Sequence, residues 1–129
     1  MGEAVESWVQ LANSVESGQL YLERGVAQLC SRRCAELVAN LKDIQLDVQG
    51  LNKVVGLGPL PSGVALSVKF EKKAIGGDYS LDQAIADHIR TVEQMQHVFE
   101  QIEARYAATD TAAARGIESS GAGLTDRGN

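Results

Sequence analysis

Two cysteines and two histidines are the side chains of this sequence best suited to redox or metal chemistry. Cys30 and Cys34 are one helical turn apart, so their Cβ atoms would run side by side, which is awkward for a disulfide. A zinc site needs two further ligands, and His88 and His97 do not have the spacing of a zinc finger. We therefore interpret both cysteines as small buried apolar residues and predict no metal ion and no cofactor.

Catalytic side chains are not recognisable as a group either. No Ser/His/Asp or Cys/His arrangement has a supporting local context. The glycines within residues 56–58 are too few for a dinucleotide fingerprint, and no predicted strand precedes them. His88 falls on an apolar helix face and is interpreted as a core-edge residue, whereas His97 is interpreted as solvated. We predict a protein that is not an enzyme.

Composition narrows the class of protein. The 129 residues are 44% hydrophobic but only 5% aromatic, with two prolines, which is typical of an all-α chain. A net charge of −5 without a basic cluster disfavours nucleic acid, whose phosphates attract lysine and arginine. No apolar run approaches the roughly 18–20 residues of a membrane span, and residues 1–6 do not begin a Sec or Tat signal. We expect no membrane span, and either a cytoplasmic location or export independent of a signal peptide.

Apolar residues recur every three or four positions along most of the chain. This spacing predicts one helical-hairpin domain at residues 1–118, with helices at about 3–55, 62–75 and 80–115. Gly18 and Gly25 each weaken the first helix by about 1 kcal/mol relative to alanine, so a bend or break is expected there. Residues 57–61, with Pro59 and Pro61, cannot continue the first helix, because proline removes a backbone donor and restricts the residue before it. Residues 119–129 are small, polar and glycine-rich and are predicted to be a flexible tail.

Two apolar seams indicate how the long helices pack. The seam of the first helix is Leu22, Val26, Cys30, Cys34, Leu37, Leu41, Ile44, Val48, Leu51 and Val55. The seam of the last helix is Leu81, Ile85, His88, Val92, Met95, Phe99, Ile102 and Tyr106. At about 1.5 Å per residue, an antiparallel last helix would cover the first from about residue 55 to about residue 20. Residues 3–19, which include Trp8, would then extend past the hairpin unless the helix breaks at Gly18.

Uncovered apolar stripes of this kind indicate a partner. A hairpin of two helices leaves part of its apolar surface exposed, and four-helix packing is the common solution. We therefore expect a homodimer, or a heterodimer with another small helical-hairpin protein, although the short middle helix is an alternative cover. The residues predicted at this partner interface are Trp8, Val15, Leu22, Leu37, Leu41, Ile44, Val92, Met95, Phe99 and Ile102.

Tyr106 ends the second seam, and Asp110 lies one turn further along on the same side. A Tyr-x-x-x-Asp pair just past a helical hairpin resembles the export signal of actinobacterial type VII (ESX) secretion substrates. From about Val5 to Asp110 the chain is similar to their Trp-x-Gly superfamily of small acidic helical hairpins. The resemblance implies that Tyr106 and Asp110 are read by the type VII secretion machinery. It also implies a secreted or cell-envelope protein that pairs into a four-helix bundle.

The chain departs from that superfamily at the turn. Trp8 is its only tryptophan and is followed by Val-Gln, so the Trp-x-Gly sequence is absent. Residues 56–59 form a glycine- and proline-rich turn instead, which implies a divergent relative with an enlarged connection. The alternative is a cytoplasmic helical adaptor or dimerisation module that uses the same seams without a secretion role. A third reading is a redox- or metal-responsive protein that uses Cys30 and Cys34.

Overall fold

The computed structural model describes the backbone of residues 2–127 and the side chains of residues 2–116. The prediction of an all-α fold is confirmed: the described residues form four α-helices and a 3₁₀ turn, with no strand among them. The α-helices are α1 (Gly2–Glu16), α2 (Val26–Gln49), α3 (Pro61–Ala74) and α4 (Leu81–Arg127), and the 3₁₀ turn is Gly50–Asn52.

Helix α4 is the central element, and α1 and α2 both pack along it. Helix α2 runs antiparallel to α4, because Gln28 at its start contacts Glu103, whereas Val48 near its end belongs to the same core cluster as Ile85. This α2–α4 pair is the long antiparallel hairpin of the molecule. A second core cluster lies further along α4, where α1, α2 and α4 all contribute residues.

Helix α1 runs parallel to α4. Val5, near the start of α1, lines the same groove as Asp87. Near the end of α1, the Glu16 carboxylate accepts a 3.1 Å hydrogen bond from the side-chain amide of Gln101. The central helix is therefore flanked by one parallel and one antiparallel helix.

The connection between α1 and α2 spans residues 17–25 and interrupts the single helix that was predicted for residues 3–55. Gly18, just past the end of α1, and Gly25, just before α2, have φ angles of 76° and 88°, in the left-handed region that favours glycine. A Cβ atom at Gly18 would also lie 3.3 Å from the Arg105 guanidinium. The helix predicted for residues 3–55 is thus two helices, with a break at the two glycines where the sequence predicted a bend or a break.

Because of this turn, the chain itself covers the apolar face of α1 that the sequence assigned to a partner. Trp8 packs edge-on against Phe99, with ring centroids 5.8 Å apart and an interplanar angle of 63°. Val15 is fully buried. Residues 3–19 therefore do not extend past the hairpin, which is the outcome expected if the helix breaks at Gly18.

The packed rows differ from the predicted seams. In α2, Leu37 and Ile44 of the predicted seam remain 45% and 46% exposed, because the buried row is rotated toward Val38. In α4, Ile89 and Val98 are buried although the single predicted seam did not include them. A single stripe could not predict this arrangement, because α4 is covered by two helices on different sides. The buried residues of α2 are Ala27, Cys34, Val38 and Val48.

Helix α4 continues to Arg127, beyond the predicted end near Arg115. The helical backbone therefore includes residues 119–127 of the predicted flexible tail, whose flexibility stays a prediction, and residues 128–129 lie outside the described part of the chain. Once a helix has formed, each added residue gains a backbone hydrogen bond, so Gly116 weakens α4 by about 1 kcal/mol without ending it. No proline follows to stop it.

Helix α3 occupies the connection between α2 and α4, where the sequence predicted a short helix. Pro61 begins it, and Gly76, with a φ of 82°, follows its end. A Cβ atom at Gly63 would lie 2.3 Å from the Leu57 carbonyl oxygen, so only glycine allows this close approach to the preceding loop. Ala74 is the one buried residue of α3, so the hairpin holds this helix mainly at its C-terminal end.

Candidate interaction site

Tyr106 lies where α4 passes the connection between α1 and α2. Its side chain is half-buried against the second core cluster. The hydroxyl donates a hydrogen bond to the backbone carbonyl of Leu22. The guanidinium carbon of Arg24 lies 5.2 Å from the centre of the Tyr106 ring, within the range of a cation–π interaction. Tyr106 thus holds residues 22–24 against α4.

Asp110 extends this contact by one helical turn. Arg24 Nη2 lies 2.5 Å from Asp110 Oδ1, and the two side chains are 59% and 57% exposed. The hydrogen bond to Asp110, and then the charge of that carboxylate, raise the pKa of Arg24. Water screens an ion pair at such an exposed position, so the pair adds little to stability. Arg24 therefore contacts both members of the Tyr-x-x-x-Asp pair that the sequence singled out.

Two further side chains of α4 hold the same connection. The Glu103 carboxylate accepts hydrogen bonds of 3.2 Å from the N–H groups of Gly25 and Gln28 and so caps the first turn of α2. Arg105 donates a 2.9 Å hydrogen bond to the Glu16 carbonyl in the last turn of α1. Each charge has the sign that complements the partial charge of the helix end it contacts.

A recess of about 190 Å³ opens beside Tyr106. Tyr21 lies at its edge and is 77% exposed. Apart from Tyr106 and Tyr21, the residues that line the recess are Gly18, Leu20, Ile102, Arg105 and Thr109. The site therefore combines the exposed Tyr21, a shallow recess beside Tyr106 and the exposed Arg24–Asp110 ion pair.

The residues first considered for chemistry are not brought together. Cys34 is buried in the α2–α4 core, Cys30 is half-buried, and both are free thiols. Burial raises the pKa of the Cys34 thiol, which lowers the thiolate fraction that reacts. His97 is exposed, but so is His88, which was predicted at the core edge. That prediction was wrong because α2 packs on the side of α4 that carries Ile89.

The residues predicted at a partner interface fall into two groups. Leu37 and Ile44 are exposed and, together with Leu51, form a row at seven-residue spacing along one side of the chain. The other eight are buried or half-buried within the chain itself, namely Trp8, Val15, Leu22, Leu41, Val92, Met95, Phe99 and Ile102. Of the ten predicted interface residues, Leu37 and Ile44 are therefore the two that remain exposed to a partner.

Sequence reasoning did not identify Arg24, Glu103 or Arg105. Helical periodicity identifies apolar stripes, whereas these three are polar residues whose contacts lie in another element. The antiparallel register held a usable signal, since an antiparallel α2–α4 pair places the residues just before α2 opposite Tyr106 and Asp110. That register would have placed Arg24 opposite Asp110 and so indicated the ion pair.

The described residues hold no group of three or more His, Cys, Asp or Glu side chains arranged to bind a metal ion. None of the described helices combines the length and the apolar character that crossing a bilayer requires. Comparison of the chain with protein-family models, with curated proteins and with solved structures finds no match.

Proposed function

We propose that this protein is a non-enzymatic type VII (ESX) secretion-associated protein that is exported as a folded helical hairpin and acts by protein–protein interaction. Tyr106 and Asp110 serve as its export signal, and its destination is the cell envelope or the medium. The observation that carries the proposal is the grouping of both signal residues around Arg24, at 5.2 Å from the ring and 2.5 Å from the carboxylate.

Recognition follows the helix-in-groove mode. Helix α4 holds the Tyr106 ring and the Asp110 carboxylate one turn apart, so a receptor groove meets both at a fixed spacing. Residues 107–116 are exposed, which leaves a receptor room to approach this part of α4. Leu22 and Arg24 contact Tyr106 and Asp110 only when α1 and α2 are docked, so the folded chain itself holds in place the ring and the carboxylate that the receptor reads. That property suits export by a route that carries folded protein.

Pairing with a second hairpin protein, as a homodimer or a heterodimer, is the second part of the proposal. Leu37, Ile44 and Leu51 are spaced by seven residues and are each about half exposed. Seven-residue spacing is the repeat that inserts side chains into a neighbouring helix in coiled-coil packing. A partner helix that covers this row would complete a four-helix arrangement with α1, α2 and α4.

The second candidate function is a cytoplasmic helical adaptor or dimerisation module without a secretion role. The hydrogen bond from Tyr106 to the Leu22 carbonyl favours it, because a structural contact accounts for this tyrosine without any receptor. The exposed row of Leu37, Ile44 and Leu51 would then serve a dimer inside the cell. The two candidates therefore differ in what they predict for export.

Export is tested by expressing the tagged protein in an actinobacterial host with active or disrupted type VII secretion, together with its partner. Cells and culture filtrate are blotted against a cytosolic lysis marker. We expect the wild type in the filtrate only when secretion is active, and Asp110→Ala retained in the cells. Asp43→Ala, which removes another exposed carboxylate, is the control and should be exported. A folded wild type confined to the cells would favour the adaptor.

A further inference from the structure

Residues 53–75, which we call the α3 cap, carry a charge opposite to that of the remaining chain. The α3 cap contains four of the five lysines in the sequence and a single acidic residue, Glu71, for a net charge of +3. Since the whole chain carries −5, the residues outside the cap carry −8. The lysines are Lys53, Lys69, Lys72 and Lys73, and all are exposed. The net charge of the whole chain does not reveal this cluster, because the acidic residues outside the cap outnumber its lysines.

The α3 cap also concentrates exposed apolar side chains. Of the 18 large hydrophobic residues that are exposed in the described chain, seven lie in the cap. They are Val55, Leu57, Leu60, Val64, Leu66, Val68 and Phe70. Exposed apolar residues scattered singly are normal, but this many in one short segment marks a binding surface.

Most of the apolar residues of α3 precede its lysines along the helix axis, although Lys69 lies between Val68 and Phe70. One row along the helix reads Val64, Val68, Lys72, and a second row reads Leu66, Phe70, Lys73. The residues of each row are three or four positions apart and therefore share a side of the helix. Each row begins with apolar residues and ends with lysine. The preceding loop adds Val55, Leu57 and Leu60 to the apolar end. We call the seven exposed apolar residues of the cap its apolar tip, and its four lysines the basic collar.

The two rows lie on opposite flanks of α3, on either side of the residues that face the loop and the hairpin. Gly63, Ser67, Glu71 and Ala74 are the less exposed residues between them. The Glu71 carboxylate accepts a 2.8 Å hydrogen bond from the Val54 N–H and ties the loop to the helix. A partner helix covers one stripe of side chains and not two opposed rows. A fluid lipid interface adapts to both, which favours it over a second protein helix.

We infer that the α3 cap docks onto the interface of an anionic lipid bilayer without spanning it. The apolar tip enters the boundary between headgroups and acyl chains, and the lysines of the collar place their amines among the lipid phosphates. The acidic remainder of the chain is repelled by the same surface, so the molecule approaches with the cap first. The inference does not depend on Tyr106, Asp110 or the proposed export.

The test is co-sedimentation of the full chain with large unilamellar vesicles at about 0.1 M NaCl. Phosphatidylcholine vesicles that contain about 30% phosphatidylserine are compared with vesicles of phosphatidylcholine alone. We expect binding to the anionic vesicles and at least about tenfold weaker binding to the neutral ones. Binding should also weaken at about 1 M NaCl, because the screening length falls to about 3 Å.

Two pairs of variants locate the binding surface. Lys69→Glu with Lys73→Glu should weaken binding about tenfold or more, whereas Arg32→Glu with Lys42→Glu, the same charge change on α2, should weaken it far less. Leu60→Ser should also weaken vesicle binding, because it removes an apolar side chain of the tip. Leu60 is the N-cap of α3, where serine is favourable, so the helix should be retained. The control is Leu46→Ser on α2, since Leu60 and Leu46 are exposed to a similar degree, 68% and 66%.

Three results would overturn the inference. The first is an absence of sedimentation with the anionic vesicles, and the second is equal binding to neutral vesicles. The third is equal loss of binding in the cap variants and the α2 controls, since the cap would then not be the contact. Capture of the chain by immobilised poly-glutamate, with no vesicle binding, would assign the cap to an acidic protein segment instead. Helical circular dichroism of every variant shows that the comparison is made on folded protein.

Discussion

At the scale of single residues, Tyr106 has two roles that must be separated before any functional result is interpreted. If Tyr106 acted only as a signal, Tyr106→Ala would leave the melting temperature nearly unchanged. In the structure the ring packs against a core cluster and the hydroxyl is bonded to Leu22, so that substitution removes packing as well as a candidate signal. Asp110, which is 57% exposed, is the cleaner probe of recognition.

Tyr106→Phe should lower the free energy of unfolding by about 1 kcal/mol, because it removes the hydrogen bond to the Leu22 carbonyl and keeps the ring. The Leu22 carbonyl is then left to water or without a partner. Urea denaturation followed by circular dichroism measures the difference. Tyr21→Phe, at a tyrosine that is 77% exposed, is the control and should have no measurable effect. Equal stability of the two variants would show that the Tyr106 hydroxyl is not bonded in solution.

Cys34 should react with a thiol reagent more slowly than Cys30 in the native chain, because it is buried and burial raises its pKa. Since the folded pKa lies above the unfolded one, the neutral thiol adds stability below the unfolded pKa. That contribution is lost as the pH rises through the folded pKa. Labelling of Cys30→Ser and Cys34→Ser, each native and in urea, measures the rates. Fast native labelling of Cys34 would revive the redox reading.

At the scale of elements, the break between α1 and α2 decides the fold. Gly18 and Gly25 were recognised as weak points, but local propensity does not show whether a helix bends or turns back. The deciding contacts are long-range: Arg105 reaches the end of α1, and Glu103 caps the start of α2. The existence of the helices followed from their periodicity, whereas this connection depended on side chains about eighty residues away.

Val15→Ala should destabilise the chain by roughly 1–3 kcal/mol, because it opens a cavity at a fully buried position between α1 and α4. Val9→Ala on the same helix is the control, since Val9 is 42% exposed and should cost well under half as much. Thermal and urea unfolding of the two variants provide the comparison. Similar stabilities would mean that α1 does not dock on α4 in solution and that its apolar face is available to a partner.

The candidate site was predictable only in part, because it too depends on long-range contacts of the α1–α2 connection. Tyr106 and Asp110 could be placed on one side of α4 because helical spacing alone fixes that relation. Arg24 could not, because its position depends on the turn that brings the α1–α2 connection over α4. Exposed ion pairs also leave no periodic pattern in a sequence, so neither apolar seam pointed to Arg24.

At the scale of the whole molecule, the two ends differ in chemistry. One end carries the Arg24, Tyr106 and Asp110 cluster beside the α1–α2 connection. The opposite end carries the basic, apolar α3 cap, which is joined to the hairpin through Ala74. The antiparallel register of α2 and α4 requires this separation, because the connection from residue 50 to residue 80 lies at the far end from residues 17–25. The two surfaces can therefore be tested with independent variants.

The most direct test of the proposed signal compares the export of Arg24→Ala and Asp110→Ala in a host with active type VII secretion. Both substitutions remove the same ion pair, but only Asp110→Ala removes the carboxylate. If the secretion machinery reads the carboxylate, Arg24→Ala appears in the culture filtrate and Asp110→Ala stays in the cells, with both variants folded. Equal export of the two variants, at the level of the wild type, would contradict a signal role for Asp110.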